Sequence, residues 1–261
     1  MRAAFSKAEI ESEIASAFKL QEKRPAEVIS TGIPQIDSFT FGGLPRGAVT
    51  EVFGPASSGR TSFMFSSMAH ATNHDEVCAL VDTNNAFDPK SAAKAQINFE
   101  RLLWIRCTNN LEHAFKATDL LLQGGGFGLV VLDLGDVPAK NAKRIISSWW
   151  YRFRRTLEAT PTSLVVIAEE SCVRSCATLA LELRGDTCLW SSNPETLKVS
   201  EFRLRKGTRV PASFGSGTSR LRNSISLPHA NLMQGLHFQV NCQRPLHLIR
   251  RDKDVLVTVR G

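Results

Sequence analysis

The sequence lacks any apolar run approaching the roughly 18 residues that a membrane-spanning helix requires. Its N-terminal residues form no continuous apolar segment of the secretory-signal kind, so a cytoplasmic location with no membrane contact is expected. There is no C-x-x-C pair. The six cysteines, Cys78, Cys107, Cys172, Cys176, Cys188 and Cys242, are scattered, and Cys172 and Cys176 have no His or Cys partner at zinc-finger spacing. Reduced, mostly buried thiols are expected in place of a metal centre. Acidic residues are scarce in the last quarter, where Glu201, Asp252 and Asp254 face twelve Lys and Arg residues over 198–261. That stretch carries +9 in a chain of net charge +7, which leaves a near-neutral body. A basic quarter suits a polyanion, DNA included, or an acidic partner surface; a solvated basic face fits it equally well.

What the chain does contain is organised around residues 49–62. Gly54 to Thr61 (GPASSGRT) has the spacing of a phosphate-binding loop, with Arg60 where lysine is expected. Val49, Val52 and Phe53 read as the strand entering it, and residues 61–71 as the helix leaving it. Such a junction aims backbone N–H groups and the positive end of a helix dipole at a phosphate. Gly54, Ser57, Ser58, Gly59, Arg60, Thr61 and Ser62 are therefore the candidate nucleotide contacts, with the Thr61 hydroxyl placed for Mg²⁺. Arginine is planar and forked, whereas the loop lysine acts as a compact point charge. Binding survives that exchange more readily than transfer chemistry does.

Residues 4–20 place Ile10, Ile14, Phe18 and Leu20 near helical spacing, a lone amphipathic helix that Pro25 ends. Apolar runs at 77–82, 102–106, 129–133 and 162–168 alternate with helical patterns such as 111–123. Further strands are expected at 179–183, 198–205, 236–240 and 255–259. This alternation predicts an α/β fold, a mostly parallel twisted sheet with helices on both faces. One long helix is expected over 139–157, with Trp149, Trp150, Phe153 and Leu157 on a core-facing stripe; the basic residues around it are read as its solvent side and not as a nucleic-acid surface. The 129–133 strand ends in Asp133, a carboxylate placed to hold Mg²⁺ through water. The expected organisation is an N-terminal helix (1–27), a core (28–210) and a basic C-terminal extension (211–261).

Four stretches together resemble the RecA recombinase core: 28–32 (VISTG), 42–47 (GGLPRG), 54–61 and 81–89 (VDTNNAFDP), with 129–133 as the second nucleotide motif. Within that superfamily the chain is most similar to the short ImuA (SulA-like) proteins, accessories of SOS-induced mutagenic translesion synthesis. The resemblance implies ATP and Mg²⁺ as ligands, Asp88 near the base, and Thr61 and Asp133 near the metal. As partners it implies RecA, an ImuB-like inactive polymerase homologue, or both. Arg203, Arg205, Lys206 and Arg209 lie near the family's inter-protomer basic residues. A looser likeness of 243–249 (QRPLHLI) to a sliding-clamp peptide reads better as an ordinary strand.

The departures from RecA bear on activity. Its loop lysine is Arg60 here, its water-activating glutamate is Asn84, its adenine-stacking tyrosine is Ser91, and Glu169 stands near its nucleotide-sensing glutamine. An amide cannot act as a general base, and losing such a base costs about 10²–10⁴-fold in rate. No catalytic residue is assigned. Residues 134–138 and 170–177 leave no room for the family's two DNA-binding loops. Three readings follow: a degenerate accessory protein with weak or absent turnover, an active DNA-dependent ATPase or recombinase, and a nucleotide-stabilised domain that caps a recombinase filament.

Overall fold

The computed structural model describes residues 27–142, 144–190, 202–203, 233–244 and 255–260. The expected N-terminal helix, Arg205, Lys206, Arg209, the 211–232 stretch and most of the 243–249 peptide lie outside the described residues. The chain enters through β1 (Val28–Ile29), which pairs antiparallel with β2 (Leu44–Pro45) around the short helix α1 (Pro34–Phe39). Asp37 of α1 accepts hydrogen bonds from Ser30 Oγ at 2.6 Å and the Thr31 N–H at 2.8 Å, which folds this entry segment on itself.

Strands and helices then alternate: β3 (Ala48–Phe53), α2 (Arg60–Asn73), β4 (Cys78–Asp82), α3 (Pro89–Lys94), β5 (Leu102–Arg106), α4 (Leu111–Gly124) and β6 (Leu129–Leu134). After α5 (Ala139–Ala142) and α6 (Ser147–Leu157) come β7 (Ser163–Ala168) and β8 (Leu179–Trp190). The last elements are β9 (Phe202–Arg203), β10 (Met233–Arg244) and β11 (Val255–Arg260). The sheet runs β11-β10-β8-β3-β7-β6-β4-β5, with β9 on β8. Pairings from β8 through β5 are parallel, and β10 and β11 add to β8 antiparallel. This is the expected α/β fold. Strands from beyond residue 211 share one sheet with the core.

The run of apolar side chains in β4, β6 and β7 follows from cover on both faces. One buried cluster joins the strands to α1, α2 and α3 through Ile36, Phe63, Met68, Leu80 and Ala92. The other joins them to α4, α5 and α6 through Phe115, Leu122, Trp150, Phe153 and Leu157. Burying each such leucine or phenylalanine contributes roughly 1.5–3 kcal/mol. Trp150 and Phe153 pack against the Phe115 ring, with centroids 5.0 and 5.7 Å away, so these aromatics belong to the core. On the outer side of α6, Arg152 pairs with Asp119 at 2.5 Å and Arg154 with Glu158 at 3.3 Å.

The single helix expected over 139–157 is two. Hydrogen bonds from Arg144 N to Asn141 O and from Ile145 N to Ala142 O close a tight turn after α5. Ile146 is extended, with φ −64° and ψ 125°, and α6 restarts at Ser147. The β-branched pair Ile145–Ile146 loses rotamer freedom in a helix, which makes the break inexpensive there. Five cysteines, Cys78, Cys107, Cys172, Cys176 and Cys242, are buried free thiols. Burial pushes Cys78 up to about 12 and Cys242 up to about 11, so neither is a thiolate at neutral pH. Among the described residues no cluster of His, Cys, Asp and Glu is arranged to hold a metal, and no helix is long and apolar enough to cross a membrane.

Candidate nucleotide site

Register sets the site. Asp82 of β4 pairs with Asp133 of β6, while Phe53 of β3 and Leu134 of β6 both pair with Ala168 of β7. The carboxyl ends of four parallel strands thus line up, and ligands of open α/β sheets bind outside such ends. The loop from Gly54 to Gly59 leaves β3 at this edge, held by the Gly54 N–H donating to Ala168 O at 3.3 Å. Ser57 (φ 60°) and Gly59 (φ 98°) take left-handed conformations that turn the loop back on itself before Arg60 opens α2. A Cβ on Gly54 would lie 2.1 Å from Leu183 O, and one on Gly59 would lie 2.7 Å from the Phe238 ring. The loop is therefore seated on β8 and β10, and glycine is required at both points.

The Ser58 hydroxyl is buried with no hydrogen-bond partner, and it lies 2.8 Å from where a Gly54 Cβ would point, on the side of the loop that faces Leu183 O of β8. The N–H groups of the first turn of α2, which Arg60 opens after the left-handed Gly59, have no partner within the helix and suit an anion. Thr61 is exposed and Ser62 half-buried on the first turn of α2. This part of the geometry fits a phosphate.

The metal side of the site is occupied by the protein. Arg60 Nη1 donates to Gly135 O at 3.1 Å, and the Gly135 N–H donates to Asp133 Oδ1 at 2.8 Å. A Cβ on Gly135 would lie 3.0 Å from Asp133 Oδ1 and 3.5 Å from Arg60 Nη1, so carboxylate and guanidinium flank the same point. Burial pushes the Asp133 carboxyl up to about 6; Asp82 and Asp136 push the same way, while the Gly135 N–H and Arg60 hold it down. A divalent cation at Asp133 would lie beside a fixed positive charge, and these residues do not fit one as they stand.

The other expected contacts have structural tasks. Asp88 caps α3, accepting from Ser91 Oγ at 2.6 Å, Ser91 N at 3.0 Å and Lys90 N at 3.2 Å. The Ser91 hydroxyl and N–H, then that of Lys90, hold the Asp88 carboxyl below its usual range. Asp82 accepts the N–H groups of Ala86 and Phe87 and the Trp104 indole N–H. Asn84 Nδ2 donates to Asn109 Oδ1 at 2.7 Å, and Asn84 Oδ1 is buried with no partner. Glu169 lies exposed just past β7. Arg203 lies on β9, opposite Thr187 of β8.

Sequence reasoning missed three residues that shape the site: Glu51, Gly135 and Phe238. Glu51, fully buried in β3, accepts from Ser171 Oγ and from the N–H groups of Cys172 and Val173, which ties down the 170–177 turn. Its signal was a lone carboxylate inside an apolar strand. Neither turn at this edge is long: Val137 N bonds Leu134 O after β6, and Cys172, Val173, Cys176 and Ala177 are buried after β7. A separate cleft of about 340 Å³, lined by Leu111, Phe115, Ile145, Ile146 and Trp149 among others, lies between α4 and α6 and includes none of the loop residues.

The model of the RecA N-terminal domain family matches residues 1–146. The RecA protein of Leifsonia xyli subsp. xyli (strain CTCB07) is 29% identical over 161 residues, 56% of this chain and 45% of that protein. The chain therefore spans about half the length of that curated relative. Among solved structures, the RadB recombinase aligns with a TM-score of 0.50 at 18% identity, over 59% of this chain and 82% of RadB. At that identity the likeness is one of fold.

Proposed function

The chain belongs to the RecA N-terminal domain family, and from that premise we propose that it is a degenerate RecA-like accessory protein of DNA repair, acting through protein partners and not through ATP turnover. The single observation that carries this reading is Asn84. At the position where RecA-like proteins hold their water-activating glutamate, this chain holds an amide bonded to Asn109, and an amide takes up no proton. Two further features support it. Arg60 is bonded to Gly135 on the far side of β7. The turns at 134–138 and 170–177 are short, and the second is held to β3 by Glu51.

The resemblance to the ImuA group supplies the finer setting of this proposal: SOS-induced mutagenic translesion synthesis, with an ImuB-like polymerase homologue, RecA, or both as partners. Nucleotide binding at residues 54–62 is part of the same reading, as is DNA contact through the basic last quarter. The test is steady-state ATP hydrolysis with and without single-stranded DNA, with Arg60→Ala as the control. Phosphate release no faster than in the variant is expected. Turnover that DNA stimulates and the substitution abolishes would instead make the chain a DNA-dependent ATPase.

A further inference from the structure

The phosphate loop follows β3 and Asp133 stands at the end of β6, with β7 between the two strands. Two strand spacings separate the two ends, about 10 Å. In this chain a side chain crosses that gap. Arg60, the first residue of α2, extends over the end of β7 and donates from Nη1 to Gly135 O. Its guanidinium shares the corner beside Gly135 with Asp133 Oδ1, which is itself engaged by the Gly135 N–H. A cation that bridged a bound phosphate to Asp133 would have to enter this same corner.

We propose that residues 54–62 bind a nucleoside diphosphate without a divalent cation, with the Arg60 guanidinium supplying the charge that Mg²⁺ would otherwise bring. This rests on the nucleotide-binding part of the proposed function and specifies its chemistry. A guanidinium is permanently charged and carries five N–H donors, of which the Gly135 carbonyl takes one. The remaining donors can meet phosphate oxygens in paired hydrogen bonds. The N–H groups of the first turn of α2 face the same anion as the guanidinium. A diphosphate suits this edge better than a triphosphate, because Asp133 and Asp136 stand at the end of β6 and Glu169 just past β7, and each further phosphate charge at these strand ends is repelled by them.

The experiment is equilibrium binding of fluorescently labelled ADP to the full chain, in EDTA and in millimolar Mg²⁺, for the wild type and Arg60→Lys. Equal wild-type affinities in the two buffers, within about threefold, are expected. Lysine keeps the charge but not the fork, so Arg60→Lys should release the corner and become Mg²⁺-dependent by about tenfold or more. A wild-type affinity that Mg²⁺ raises by about tenfold would overturn the metal-free site while leaving nucleotide binding intact. No ADP binding in either buffer would overturn the nucleotide reading itself. The wild-type comparison decides between these outcomes even where the variant folds poorly.

Discussion

Glu51 Oε1 accepts the backbone N–H of Val173 at 2.8 Å, joining residues 122 apart in the sequence. The same carboxylate takes the Cys172 N–H and the Ser171 hydroxyl, so one buried side chain satisfies three donors of this turn. Glu51→Gln places an NH₂ group among those donors and should lower stability by about 1–3 kcal/mol, with Glu51→Ala costing more. Urea unfolding followed by circular dichroism measures this. An unchanged midpoint in Glu51→Gln would show that the turn is held by other contacts.

Asp133 predicts a pH dependence whose sign is set by burial. Its folded-state value, about 6, lies above the ordinary carboxylate value of 3.8. Between those two pH values the folded protein binds a proton that the unfolded chain has released, so this group's contribution falls as pH rises and is fully adverse above about 6. Asp133→Asn keeps an acceptor for the Gly135 N–H and removes the charge. It should stabilise the protein by about 1–3 kcal/mol at pH 7.5, with the gain vanishing below about pH 4. Unfolding midpoints across that range provide the test; a gain independent of pH would mean the carboxyl titrates normally.

Restoring the family's glutamate should not restore turnover. Asn84→Glu supplies a base, yet Arg60 still lies across to Gly135 and Asp133 remains engaged by the Gly135 N–H. Phosphate release by Asn84→Glu is expected within about tenfold of the wild type, against the 10²–10⁴ range of a working general base. A larger increase would show that this one residue limits the reaction.

Gly59→Ala should damage loop and core together. The position has φ 98°, and a methyl group there would meet the buried Phe238 ring at 2.7 Å. Strain of about 1–3 kcal/mol is expected from the backbone alone. Pairing the change with Phe238→Leu separates the two causes. Partial recovery in thermal melts would assign the remainder to the ring contact.

Much of this was legible in the sequence for local reasons. The spacing of residues 54–61 and the apolar runs of β4, β6 and β7 are set by neighbours in the chain, so the loop, α2 and the parallel strands stand where the pattern places them. The basic, tryptophan-bearing stripe of α6 resolved the same way, since helical period alone puts Trp150 and Phe153 inward. What escaped was long-range. Nothing near residue 240 announces that β10 pairs with β8, or that Phe238 packs under Gly59. The reach of Arg60 to Gly135 depends on β7 lying between β3 and β6, an order that strand patterns do not encode. The break at Ile146 was hidden because an apolar stripe continues in phase across it.

The seat of Phe238 beneath Gly59 also orders events during synthesis. A ribosome makes the glycine-rich turn early but the ring that closes its underside only after β4 to β9 have been synthesised. Until then the loop lacks its seat on β10, and a nascent chain carries the sequence of the motif without that support. Seating of the loop is thus a late event, and arrest-peptide force measurements should register it only once residue 244 has cleared the exit tunnel.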